Sequence, residues 1–154
     1  MSMQRIKHGA FGGLAGGMLF GVMMGMMGAL PMIGRMVGLP SMVGGFVVHM
    51  AISAMIGVSF AVLFGRRLNG IPSAVLSGLA YGAVWFLLGP LTFMPLMMGM
   101  GLQGVAASWS LGTMVRMMPS VMGHLAYGGV LGAVYGLLHV GYFRRRVAAV
   151  ASNA

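Results

Sequence analysis

The sequence predicts an all-α integral membrane protein: a four-transmembrane-helix bundle built from two duplicated helical hairpins in parallel, same-orientation repeat. Three observations point there. The 154 residues include no Asp or Glu, 59% are hydrophobic and 6% are charged, whereas a soluble domain carries roughly 25% charged residues. Four apolar runs are long enough to cross a bilayer, which takes about 20 residues. Short motifs in the first half return in the second.

The first run covers about 9–30 and places glycine at every fourth position: Gly9, Gly13, Gly17, Gly21 and Gly25. In water each interior glycine would cost a helix roughly 1 kcal/mol relative to alanine. In lipid the backbone must bond within the helix, and small residues at spacing four let two helices gain close dispersion contact. A second stripe, Gly12 and Gly16, turns glycine in another direction. Arg5 and Lys7 precede the run as in a secretory signal, but it is too long for the usual apolar core of one and is read as a retained span.

The second span is read over 42–64 and the third over 73–95. Charge-free sequence continues to Gly101, so Pro90 and Pro95 are expected to kink or end the third span and to leave Leu96–Gly101 at the interface. The stretch 102–120, with Trp109 and Arg116, reads as an outer interfacial loop or short helix. The fourth span is read over 121–140. No segment has the composition of a soluble domain, so 1–154 is taken as a single membrane domain.

The duplication is read from matched positions. Pro40-Ser41, His49, Ala51, Gly57, Phe60 and Leu63 return as Pro119-Ser120, His124, Ala126, Gly132, Tyr135 and Leu138. Gly13-Leu14-Ala15 with Gly17 returns as Gly78-Leu79-Ala80 with Gly82. Repeat one is therefore placed at about 9–67 and repeat two at about 73–146, related by an axis along the membrane normal. Below the histidines run further small-residue stripes, Ser53, Gly57, Ala61 and Gly65 in one repeat and Gly128, Gly132 and Gly136 in the other.

Of the nine basic residues, Arg5, Lys7, Arg66, Arg67, Arg144, Arg145 and Arg146 fall on one side of this topology, and only Arg35 and Arg116 on the other. The positive-inside bias predicts an integral plasma (inner) membrane protein with both termini cytoplasmic. The cations flank spans and meet the lipid bilayer's anionic headgroups. No basic face with interleaved aromatics exists, which argues against nucleic acid as a partner.

Catalysis is not expected. The chain lacks carboxylates for acid–base work, lacks cysteine, and shows no nucleophile or metalloprotease motif. His49 and His124 are the ionisable residues in the outer halves of spans, and the repeat makes them symmetry mates. Two cofactors suit such a pair. Haem b would need two facing imidazoles, a glycine-lined slot and cations for its propionates, which Arg35 and Arg116 would supply. Cu(I), as a metal held by His49 and His124, would draw on the 20 methionines. The bland alternative has the histidines fastening helices through carbonyls, and the methionines filling gaps left by glycine. His139 matches Phe64 in the other repeat, so no second histidine pair is expected, and His8 reads as a solvated flank.

The function that asks least is a small non-catalytic polytopic membrane protein. Its glycine stripes, Gly9 to Gly25, Gly57, Gly128, Gly132 and Gly136, would pack it as a homo-oligomer or as the accessory subunit of a larger membrane complex, itself or another membrane protein being the partner. The Gly12 and Gly16 face is the expected associative surface. The rivals are haem b or Cu(I) binding at His49 and His124, and a passive channel or transporter for a small solute.

Overall fold

In the computed structural model the backbone is described for residues 2–151, and side-chain environments for residues 2–139 and 141. Arg144, Arg145 and Arg146, placed by the sequence reading on the side of the termini, lie outside the residues whose side chains are described. Among the described residues the protein is all-helical. Four helical stretches are long and apolar enough to cross a membrane: Met3–Met26, Met42–Phe64, Ile71–Met97 and Met118–His139.

The helices are α1 (Met3–Met26), α2 (Leu30–Arg35), α3 (Met42–Phe64), α4 (Ile71–Leu88), a π-helical turn (Gly89–Phe93), α5 (Met94–Met97), α6 (Gly101–Ser108), α7 (Leu111–Arg116) and α8 (Met118–Ala151). α1 starts before the apolar run and ends short of its expected limit. It carries Arg5 and Lys7 in its first turns, and Gly28, in the left-handed region at φ 67°, breaks it. The next residues, expected as the end of the span and a loop, form α2, which packs against α3 through buried Leu30 and Gly34. Ser41 caps α3, its Oγ accepting from Gly44 N at 2.9 Å.

Pro90, expected to kink or end the third span, lies where the α-helix gives way to a π turn. Proline cannot donate the regular helical bond, and the chain widens there into the π turn. Thr92 Oγ1 donates to Leu87 O at 2.9 Å within this widened turn. The stretch 102–120, expected as an outer loop or short helix, holds two short helices, α6 and α7, and the first residues of α8, and is tied back to the π turn by Trp109 Nε1 donating to Thr92 Oγ1 at 3.3 Å.

Glycine decides which helices touch. A Cβ added at Gly13 would lie 2.9 Å from Gly57 Cα, and one at Gly17 would lie 2.5 Å from Ser53 Cβ, so α1 and α3 meet backbone to backbone. In the second hairpin a Cβ at Gly78 would lie 3.0 Å from Gly132 Cα, and one at Gly128 would lie 3.1 Å from Gly82 Cα. Gly9 faces Gly57 and Ala61, Gly21 faces Phe46 and His49, and Gly136 faces Ala74 and Ile71. Gly25 departs from the stripe's role, meeting only Leu30 beyond its own helix.

The second stripe of α1 does not form the expected associative surface. Gly12 and Gly16 are buried against Leu131 and Tyr127 of α8, inside the same chain. Every stripe glycine from Gly9 to Gly21 thus faces a helix of its own chain, because α1 lies between α3 and α8 and needs a small-residue face toward each. α3 and α4, in contrast, meet mainly around Tyr81, which bonds Ser59 Oγ at 2.7 Å and packs on Phe60 and Phe64. This aromatic cluster extends through Tyr135 and holds the core at the end of the bundle bearing Arg66 and Arg67. Large apolar side chains such as Val43, Met55 and Leu76 are exposed, as lipid-facing positions require.

Overpacking a close backbone contact typically costs about 1–3 kcal/mol or more. Gly13→Leu should therefore lower the thermal midpoint in mild detergent by many degrees, whereas Gly141→Ala, with open space around it, should leave it unchanged. Equal midpoints for the two variants would contradict the packing described.

Candidate functional site

With α3 and α4 joined near Tyr81, their other halves stand apart, and a cavity of about 580 Å³ opens between them. Its walls are α3 (His49, Ile52, Ile56) and the third span from Trp85 through the π turn to Met97. Its back is formed by Phe20 and Met24 of α1 and by His124 and Tyr127 of α8. Met27, Met32, Met97 and Arg116 line it and are exposed at the end bearing α2 and α7, and Ile52 and Phe93, also exposed, open it along its side between α3 and the third span. The volume and apolar lining are those of a small-molecule site, for which about 300–1,000 Å³ is usual.

Both predicted histidines line this cavity. His49 is buried, and its Nε2 donates to Gly17 O of the neighbouring helix at 2.9 Å, with Ser53 Oγ at 3.4 Å. His124 donates from Nδ1 to Ser120 O, one turn back on its own helix, at 2.8 Å. A carbonyl only accepts, so each bond fixes a tautomer, and in the neutral ring the other nitrogen carries a lone pair. Those nitrogens are Nδ1 of His49 and Nε2 of His124. Although matched in sequence, the two rings are held by different atoms. Gly89 of the π turn lies opposite His124 Nε2, which a Cβ added there would approach to 3.9 Å.

The imidazoles do not face each other across an open slot. The ring of Phe20 bridges them, edge to face, with centroids 5.6 Å from His49 and 4.7 Å from His124. Phe20 is held there by Gly123, where a Cβ would overlap its ring. The Nε2 of His49 is already bonded to Gly17. The geometry thus departs from a bis-histidine haem site, since an aromatic side chain takes the place of the macrocycle. Of the two arginines expected beside the histidines, Arg116 lines the cavity, whereas Arg35 is exposed on α2 away from it.

The expectation of a single histidine pair is corrected. At the opposite end His8 is half-buried, with its ring 6.4 Å from those of both Tyr135 and His139, and Tyr135 stacks on His139 at 5.3 Å. The pair joins α1 to α8 and so is invisible to a comparison of α3 with α8, which is where the repeat looks for it. Sequence reasoning also missed Tyr127, whose hydroxyl donates to Ser53 O across the bundle at 2.8 Å, and the part of α2 and the π turn in building the cavity. Pro90 followed two residues later by Thr92 was the available signal for the latter.

No known protein family, curated protein or solved structure matches this chain.

The Tyr127 bond spans α8 and α3 behind the cavity. Tyr127→Phe should destabilise the protein by about 1 kcal/mol, read as a lowered unfolding midpoint in micelles. A midpoint at or above that of the parent would show that this bond does not join the two helices.

Proposed function

We propose that this chain is a small membrane-embedded binding protein that holds an apolar ligand between its two hairpins. One observation carries the reading: the cavity with both histidines in its lining. The glycine stripes, read from sequence as an intermolecular surface, are used within the chain, which removes their support for a homo-oligomer or an accessory subunit. The function is non-catalytic, and the protein lies in the plasma (inner) membrane with both termini cytoplasmic, a reading supported by the basic residues flanking the spans.

The duplication gives the cavity a physical origin. In the register that sets Gly13 on Gly78 and Gly17 on Gly82, Gly12 and Gly16 correspond to Ser77 and Tyr81. In the register that sets His49 on His124, Tyr127 and Leu131 correspond to Ile52 and Ile56. Gly12, Gly16, Tyr127 and Leu131 close the seam between α1 and α8, whereas Tyr81, Ile52 and Ile56 lie at the seam between α3 and α4. Two parallel repeats would make these seams equivalent, and Tyr81 in place of Gly16 props the second one apart. The like contacts Gly13 on Gly57 and Gly78 on Gly132 support this reading.

Gly89 borders the cavity and has room for a side chain, so Gly89→Leu should fill it without displacing a helix. Aminoanthracene, an uncharged fluorescent probe, should bind the purified protein at one saturable site and lose at least tenfold in affinity in Gly89→Leu. Only unsaturable partition, identical in both proteins, would refute the proposal.

A second reading, soft-metal binding, is favoured by the two tautomer-fixed histidines together with seven methionines in the lining, Met24, Met27 and Met94 among them. It predicts that the protein retains Cu(I) against a weak chelator, that His49→Ala and His124→Ala lose it, and that His139→Ala does not. Retention equal in all four proteins would refute this reading.

A further inference from the structure

Among the described residues lining the cavity, Arg116 is the one that carries a fixed charge. It stands at the mouth, at the end of α7, and its guanidinium is steadied by donating to Thr113 Oγ1 at 3.0 Å. Thr113 in turn is held by Ser110, whose Oγ caps α7 and donates to Thr113 Oγ1 at 3.0 Å. The chain contains no Asp or Glu, so no side-chain carboxylate can pair with this arginine. Behind it the lining is almost wholly apolar, and at this end of the bundle Arg35 on α2 is a second cation.

The size of the cavity limits the apolar part of its occupant. A methylene takes up about as much room as a water molecule, whose share of the liquid is ~30 Å³. A volume of 580 Å³ is therefore on the order of twenty methylenes, room for one long acyl chain.

Resting on the cavity reading above, we infer that the ligand is a single-chain anionic amphiphile, a long-chain carboxylate. Its chain lies between α3 and the third span, and its head pairs with Arg116 at the mouth. The carboxylate accepts the paired N–H donors of the guanidinium, a geometry an alcohol or an ester head cannot reproduce. The chain lies along Ile52, Ile56 and Trp85, and entry is sideways between α3 and the third span, where Ile52 and Phe93 are exposed, with the head left at the end bearing α7.

Trp85 supplies the reporter. The chain has two tryptophans, and Trp109→Phe leaves Trp85 as the sole emitter, in the cavity wall. The full-length Trp109→Phe protein in non-ionic detergent is titrated with dibromostearate, with the corresponding dibrominated alcohol, and with phosphatidylglycerol carrying brominated chains. Dibromostearate should quench Trp85 saturably and bind at least tenfold more tightly than the alcohol. Arg116→Gln should abolish that preference while leaving the alcohol unaffected, and Arg116→Lys should retain part of it. Equal saturable binding of acid and alcohol, unmoved by Arg116→Gln, would overturn the anionic head and leave the cavity reading standing. Tighter binding of the phosphatidylglycerol would overturn the single-chain assignment. Absence of saturable quenching by any of the three would overturn both this inference and the cavity reading.

Discussion

Close backbone contact at glycine is the constraint on which the rest of this structure depends. In lipid no hydrophobic force draws helices together, so a bundle holds where backbones approach closely enough for dispersion to accumulate. Here Gly13 against Gly57 joins α1 to α3, Gly78 against Gly132 joins α4 to α8, and Gly12 and Gly16 against α8 join the two pairs. Three of the four seams of the bundle are thereby tight. The fourth, between α3 and α4, has Tyr81 in place of a glycine contact and is held by aromatic packing at one end only.

The cavity is the consequence of that inequality. A bundle with four tight seams would have no interior room, and one with bulky residues at several seams would not hold. Placing the aromatics Phe60, Phe64, Tyr81 and Tyr135 at one end fixes the spacing of α3 and α4 there. The other ends diverge, and the π turn at Pro90 and the short helix α2 border the opening. Methionine suits the lining of such a space, since its unbranched side chain adapts to irregular gaps and to a variable occupant. The histidines serve the same structure from another side. Each ties a ring nitrogen to a backbone carbonyl, and His124 keeps its Nε2 beside Gly89 at the cavity wall.

Much of this was legible in the residues. The four spans follow from apolar run length, and the glycines at spacing four marked the faces on which helices would meet. His49 and His124 stood out as buried ionisable groups, and both line the cavity. Which helix each glycine face would meet was not legible, because spacing along one helix does not fix its rotation against the others. That is why Gly12 and Gly16 read as an outward surface, and why Phe20 between the two histidines went unseen. The pairing of His8 with His139 was hidden for a related reason. It joins residues at positions that the recurring sequence motifs do not match. α2 was hidden because six residues following Gly28 carry too little periodicity to register as a helix.

The glycine faces close on helices of the same chain. The native sequence has no cysteine, so an introduced pair reports without background. A Cβ at Gly136 would lie 3.1 Å from that of Ala74, within a few tenths of an ångström of the ~3.5–4.5 Å found across disulfides. The measurement is oxidation of the Ala74→Cys, Gly136→Cys double variant in native membranes, followed by non-reducing electrophoresis. Closure within one chain predicts a faster-migrating monomer that returns to the reduced position with dithiothreitol. Disulfide-linked dimers in place of that monomer would mean that these faces meet between chains, and would contradict it.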